Sequence, residues 1–280
     1  MSDPLLLSFD TSTAVGSVAL FRGRTLLGKD LLTERREHAT RLVPSIQGIL
    51  ADAGLGREEL DGIVVGRGPG SFTGVRVAAA TARGLAAGLQ RPLWAWCSLA
   101  AAAASQRVEI PEAIQSRFGS GSVLDLPPEA DGWPRYVLLD ARGRRVYGAC
   151  YRLLPDRLET LVSPQAATVD SVVREELPGN VLFCGDGALA HAEFLEEHGH
   201  RVLPLPAGLP TAQGLMRIHH LHSGAPPLPP ESRWEPAYVR SSSAERPPSR
   251  ASAGSGASGH SAGSPGFAGD GSGDGGTGPG

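Results

Sequence analysis

Residues Ile63 to Leu89, IVVGRGPGSFTGVRVAAATARGLAAGL, run from a β-branched segment through a Gly/Pro loop into a helix of small residues, the layout of an anion-binding turn. Gly66, Gly68 and Gly70 permit tight-turn backbone angles, and Ser71 or Thr73 can cap the helix that follows. Free N–H groups at such a helix start favour negative charge, so the chemistry on offer is the binding of a phosphate or a carboxylate. The nucleotide spacing is incomplete, however. Counted from Gly66 or Gly68, the third glycine of G-x-G-x-x-G is replaced by Ser71 or Thr73, and no G-K-[ST] follows. A packing turn without ligand is the competing reading.

Other reactive groups are sparse. Asp10 and Asp140 each close an apolar strand, where an aspartate either helps to hold a metal or phosphate-linked magnesium or simply forms the turn. Gly70-Ser71-Phe72 is not a nucleophile elbow, because Pro69 stands where G-x-S-x-G requires glycine. His219, His220 and His222 form the densest histidine group, in a segment that reads as a helix end before Gly224; hydrogen bonding at a helix C-terminus competes there with a metal site. His38 opens a helix whose next-turn neighbour is Leu42, so it forms no i, i+4 ligand pair and reads as a cap or surface contact. Cys97, Cys150 and Cys184 follow no C-x-x-C spacing, lie beside apolar residues, and read as buried free thiols of a reducing, cytoplasmic compartment.

The elements that must position these groups follow from periodicity. Leu5 to Leu20 reads as a strand ending in Asp10, a polar turn and a returning strand. Arg135 to Tyr151 repeats the plan around Asp140. Each hairpin is followed by strand, glycine turn and helix, at Ile63 to Leu89 and again from Val181, which predicts two copies of one α/β unit. Between the first hairpin and the glycine loop, Ala39, Leu42, Val43, Ile46, Ile49, Leu50 and Ala53 mark one face of a helix that Pro44 should kink or restart and Gly54 should stop. The helix after the loop has its own stripe of Val75, Ala78, Ala79, Ala82, Ala86 and Leu89. Whether these stripes meet the chain's own sheet or a second subunit is open to periodicity, with the sheet as the default.

With 280 residues and 41% hydrophobic content, the chain can bury a substantial core. A formal charge of -3 argues against nucleic-acid binding by bulk electrostatics, leaving local groups such as Arg142, Arg144 and Arg145, which also read as a solvated hairpin tip. Lys29 is the only lysine. No membrane span or secretory signal is apparent. The expected organisation is a first subdomain over residues 1–105, a second over 106–240 with an insertion at 115–135 and final residues that return to the first subdomain, and a disordered Gly/Ser/Pro tail at 241–280.

Taken together, FDTSTAVGSVAL, REHATRLVPSIQGIL, GRGPGSFTGVRVAAATARGLA, PLWAWCSLAAAA, DARGRRVYGACY and PAYVR resemble the TsaB (YeaZ-type) family over roughly Leu5 to Arg240, with GPGSFTGVR the most specific segment. The resemblance implies a duplicated actin-like ATPase fold of the sugar-kinase superfamily, with two subdomains. It also implies a noncatalytic dimerisation subunit in the formation of N6-threonylcarbamoyladenosine, next to the anticodon of tRNAs that read A-starting codons. The implied partners are a TsaD-type catalytic paralogue and a TsaE-type ATPase, with a homodimer in isolation and tRNA reached through the complex; a TsaC-type enzyme makes the activated donor.

The paralogue carries two metal-binding histidines, spaced i, i+4, in a segment of the form PLIGVNHMEGH. Matched to PLWAWCSLAAA, those positions hold Ser98 and Ala102, which are poor replacements for imidazole ligands. No catalytic or metal residue is therefore expected, and nucleotide binding should be weak ATP or ADP binding at most. The implied interface consists of His38, Leu42, Val43, Ile46, Ile49, Leu50, Val75, Ala78, Ala79, Ala82 and Leu89. The vestigial anion loop consists of Asp10, Thr11, Gly68, Gly70, Ser71, Thr73, Gly74 and Arg76. A small-molecule kinase of the same fold is the alternative, and a peptidase, a label once given to relatives, finds no triad.

Overall fold

A computed structural model describes residues 3–33, 37–105 and 132–229. The tail at 241–280, the PAYVR segment and nearly all of the 115–135 insertion lie outside them.

Two five-stranded sheets share one plan. The first contains β1 (Leu5–Asp10), β2 (Gly16–Arg22), β3 (Thr25–Leu32), β4 (Gly62–Gly66) and β5 (Leu93–Trp96), in the order β3-β2-β1-β4-β5. The second contains β6 (Arg135–Asp140), β7 (Arg145–Leu153), β8 (Leu158–Thr168), β9 (Leu182–Cys184) and β10 (Arg201–Val202), in the order β8-β7-β6-β9-β10. In each, three strands form an antiparallel meander and the last two run parallel to the first. This is the duplicated actin-like α/β architecture with two subdomains.

The helices are α1 (His38–Asp52), α2 (Phe72–Leu89), α3 (Ser98–Ala104), α4 (Val169–Val172), α5 (Asp186–Ala190), α6 (Ala192–Glu197) and α7 (Ala212–Leu221). α1 runs through Pro44 as one helix, so of the two expected outcomes the restart does not occur. The missing proline N–H costs one hydrogen bond, while Leu42, Ile46, Ile49 and Leu50 on the inward face hold the helix to the sheet. Its end follows the expectation: Gly54 takes φ +68° and donates to Ala51 O, and Leu55 donates to Leu50 O, the Schellman arrangement.

Strand alternation sends Leu5, Leu7 and Phe9 to the face covered by α1 and α2, and Leu6 to the opposite face, where α7 packs with Ala212, Leu215 and Met216. The two halves exchange their central helices. α7, from the end of the described chain, covers the first sheet, while α3, which follows β5, covers the second through Val137, Leu139 and Ala149. Ser8 Oγ donates to Ala212 O and Ser17 Oγ accepts from Ala212 N, so two buried hydroxyls of the first sheet seat the start of α7.

The α3–α7 contact explains the alanine run. A Cβ on Gly214 would collide with Ala101 O and come within 2.5 Å of Ser105 Oγ. Gly214→Ala should therefore force these helices apart and lower stability by about 1–3 kcal/mol in urea unfolding.

Candidate functional site

The chemistry expected around the glycine loop centres on Asp10. Parallel pairing of β1 with β4 places Asp10 at the end of one strand and Gly66 at the end of the other, where any Cβ at Gly66 would overlap Asp10 Oδ2. The carboxyl is fully buried. Ser12 donates to Oδ1 from its backbone N (2.6 Å) and from its hydroxyl (2.5 Å), and Ser98 Oγ donates to Oδ2 at 2.6 Å. Burial pushes the Asp10 carboxyl above its usual range, and the hydrogen bonds from Ser12 and Ser98 pull the other way.

Ser98 also ties down the loop. Its Oγ accepts from Gly68 N at 3.0 Å, and its backbone N donates to Gly68 O at 2.9 Å. Arg67 N is bonded to Trp96 O, Ser71 N to Ser12 O, and Gly74 N to the Ser71 hydroxyl that caps α2. Thr11 Oγ1 donates to Gly74 O at 2.7 Å. Gly70 and Gly74 are required because a Cβ on either would strike the backbone of Ser12 or Thr11. The loop thus spends its donors on Trp96, Ser98, Ser12 and its own Ser71, and accepts a further bond from Thr11.

That turn is itself covered. Thr11, Ser12 and Thr13 are buried, and Val15 packs with Leu209, Leu31 and Leu205 in an apolar plug. The plug extends to the second sheet's glycine turn, where Gly185 N donates to Ala207 O and Gly208 approaches too closely to carry a side chain. An anion clamp offers exposed donors at such turns. Here the first turn is packed shut.

The family model described as TsaD, tRNA N6-adenosine threonylcarbamoyltransferase, matches residues 32–117. The tRNA threonylcarbamoyladenosine biosynthesis protein TsaB of Haemophilus influenzae is 31% identical over 204 residues, covering 71% of this chain and 78% of that protein. The chain belongs to the TsaB family. TsaB of Bacillus subtilis is 29% identical over 196 residues, covering 69% and 75% of the two chains. A solved Pseudomonas aeruginosa structure, described as an uncharacterized protein with similarity to peptidase YEAZ, has a TM-score of 0.65 and 29% identity over 85% of this chain and 100% of that chain.

In this TsaB-family chain, Ser98 and Ala102, the positions that the resemblance set against the paralogue's histidines, are both fully buried on α3. Ser98 is committed to Asp10 and the loop, and Ala102 to the second sheet's core. Among the described residues no three His, Cys, Asp or Glu side chains converge as a metal site, and no helix is long and apolar enough to cross a membrane. Thr73 and Arg76 are exposed at the start of α2, where Arg76 lies over the Phe72 ring at 3.6 Å.

The residues assigned to a partner surface lie elsewhere than expected. Leu42, Ile46, Ile49, Leu50, Val75, Ala78, Ala79 and Ala82 are buried, most of them in the core beneath α1 and α2, and Leu89 is half-buried against it. His38 is neither cap nor surface contact but buried, with Nε2 3.2 Å from Leu32 O. Only Val43, 43% exposed, points outward. The reason is that a five-stranded sheet with an apolar face must be covered, and the apolar stripes meet that need first. The outward faces instead carry Gln47, Gly48 and Ala51 on α1, and Ala80, Gly84, Ala87 and Gly88 on α2. A groove of about 480 Å³ beside β3 and α1 is lined by Lys29, Asp30, Arg41, Pro44, Ser45, Gly48, Ile49 and Asp52.

The histidines of α7 serve its packing: His219 meets Trp94 edge-on, His220 Nε2 lies 3.2 Å from Gly23 O, and His222 packs on Trp96. Burial holds His219 down at about 4. Cys150 and Cys184 are buried thiols pushed up to about 12 by desolvation, whereas Cys97 is only half-buried. Arg144 is paired with Asp170 rather than simply solvated. Sequence reasoning missed the Val15–Leu209 plug, because its two sides are nearly two hundred residues apart.

A folded-state carboxyl raised above its ordinary value of 3.8 favours the protonated fold, so the Asp10 contribution is complete below that value and declines as pH rises toward the folded pKa. Asp10→Asn should remove this decline from a plot of unfolding midpoint against pH. Ser98→Ala should cost about 1–3 kcal/mol by leaving Asp10 and Gly68 N short of a partner.

Proposed function

We propose that this chain is a noncatalytic, dimerising and activating subunit in the formation of N6-threonylcarbamoyladenosine next to the anticodon of tRNAs reading A-starting codons. The observation that carries this reading is the closed Asp10 turn. Loop donors that would meet an anion are taken up within the protein, Gly68 N by Ser98 Oγ, Ser71 N by Ser12 O and Gly74 N by the Ser71 hydroxyl, and the position of the first paralogue ligand is a serine bonded into the same cluster. Membership of the TsaB family supplies the pathway, and the TsaD-family match over residues 32–117 supports descent from a shared scaffold with the transferase.

On this reading the chain works through contact with a TsaD-type catalytic subunit, with a TsaE-type ATPase acting on the assembly and tRNA bound by the whole. The same surface would form a homodimer when the partner is absent. Nucleotide would be held weakly by this chain and mainly at the partner subunits. The surface that fits a helical partner is the outward side of α1 and α2, where Gly48, Gly84 and Gly88 have open space around them and permit close approach.

Reconstitution of tRNA modification with the chain's own partners should lose product when this chain is omitted. The isolated chain should neither bind ATP-magnesium tightly nor turn it over. Product formed equally without it, or turnover by the chain alone, would refute the proposal. Gly84→Glu should weaken capture of the TsaD-type partner at least tenfold while leaving the melting curve nearly unchanged. Ala82→Glu, by contrast, should unfold the chain, because it places an unpaired charge in the core.

A further inference from the structure

Three arginines gather at the start of the second sheet, away from the Asp10 turn. Arg135 opens β6 and Arg201 opens β10, and both are in register with Leu182 of β9. In-register neighbours share a face, so their side chains leave the sheet on one side about 10 Å apart, two strand spacings. Leu182 belongs to the core beneath α3, which identifies that side. Arg217 of α7 lies close enough for the charge of Arg135, added to burial, to hold its guanidinium below the usual range. Arg201 sits over the Trp133 ring, 5.7 Å from its centroid.

Arg144 has Asp170 and Arg152 has Glu159, but among the described residues none of Arg135, Arg201 and Arg217 forms an ion pair. Arg135 and Arg217 are also half-buried. Guanidinium groups that have lost part of their hydration and repel one another are stabilised by an incoming anion. Their planar donors match phosphate oxygens in pairs, and the indole beside them offers a stacking surface for a base, which an acidic peptide does not require.

We propose that Arg135, Arg201, Arg217 and Trp133 form a contact site for the ribose-phosphate backbone of an RNA. That the RNA is the tRNA being modified rests on the function proposed above. The site complements a chain whose net charge of -3 gives no general attraction to polyanions, so binding is local.

The test is fluorescence anisotropy of the full chain with an unmodified tRNA transcript over a series of salt concentrations. The parent should bind with a clear salt dependence. Arg135→Gln/Arg201→Gln should weaken binding at least tenfold at low salt and reduce the log–log salt slope by about 1.5, two phosphate contacts' worth. Trp133→Ala should weaken binding several-fold and Trp133→Phe much less. The exposed Arg201→Gln alone gives the readout if the double variant does not fold. No salt-dependent binding by the parent, or unchanged RNA affinity in variants that melt earlier, would overturn the site. Loss of protein-partner capture with RNA affinity intact would overturn it in favour of an acidic protein segment. Variants that bind RNA like the parent, in a chain still required for modification, would sink this site and leave the functional proposal standing. Weakened RNA binding in a dispensable chain would do the reverse.

Discussion

One buried carboxyl organises the first half of the molecule. Asp10 has no access to solvent, so its oxygens must be met from within, and the groups that meet them come from the β1–β2 turn and the start of α3. Through Ser98 the same cluster reaches the backbone of Gly68 and ties the glycine loop to the start of α3. A polar group buried without such partners would cost several times what a typical hydrogen bond contributes, so the arrangement tolerates little variation. The collision that a side chain at Gly66 would suffer with Asp10 expresses the same constraint from the opposite strand.

From that constraint follow both the placement of α3 and the closure of the turns. From Ser98, which faces Asp10, α3 runs on to cover the second sheet and lies against α7 where Gly214 leaves no room for a side chain. The return of α7 to the first sheet then binds the halves by exchange of helices, a stronger coupling than two domains meeting at a surface. Val15 and Leu209 seal the adjoining turns with apolar contact.

Much of the fold was legible in the chain. Apolar runs closed by Asp10 and Asp140 marked the leading strands, the glycines at 66–70 and 185 marked the turns, and Gly54 ended α1 as its position foretold. These are local signals, carried by residues within a few positions of one another. The partner surface was less legible, because an apolar stripe such as Leu42–Ile46–Ile49 looks the same whether it covers a sheet or another molecule. Pro44 did not end α1, because packing along its inward face holds the helix together across the missing hydrogen bond. The arginines at 135, 201 and 217 gave no sequence signal at all.

The sequence by itself determined the main element types, the repetition of one α/β unit, a cap at Ser71 or Thr73 and the absence of imidazoles at positions 98 and 102. Those properties depend on side-chain chemistry and near-neighbour spacing, which a linear chain contains in full. Tertiary structure alone decided that Ser98 serves Asp10, that the helix stripes face inward, that Val15 meets Leu209 and that distant arginines share one face. Each of these depends on which segments the sheet order and the crossing of α3 and α7 bring together, and burial and charge act over spatial distances that sequence separation does not encode.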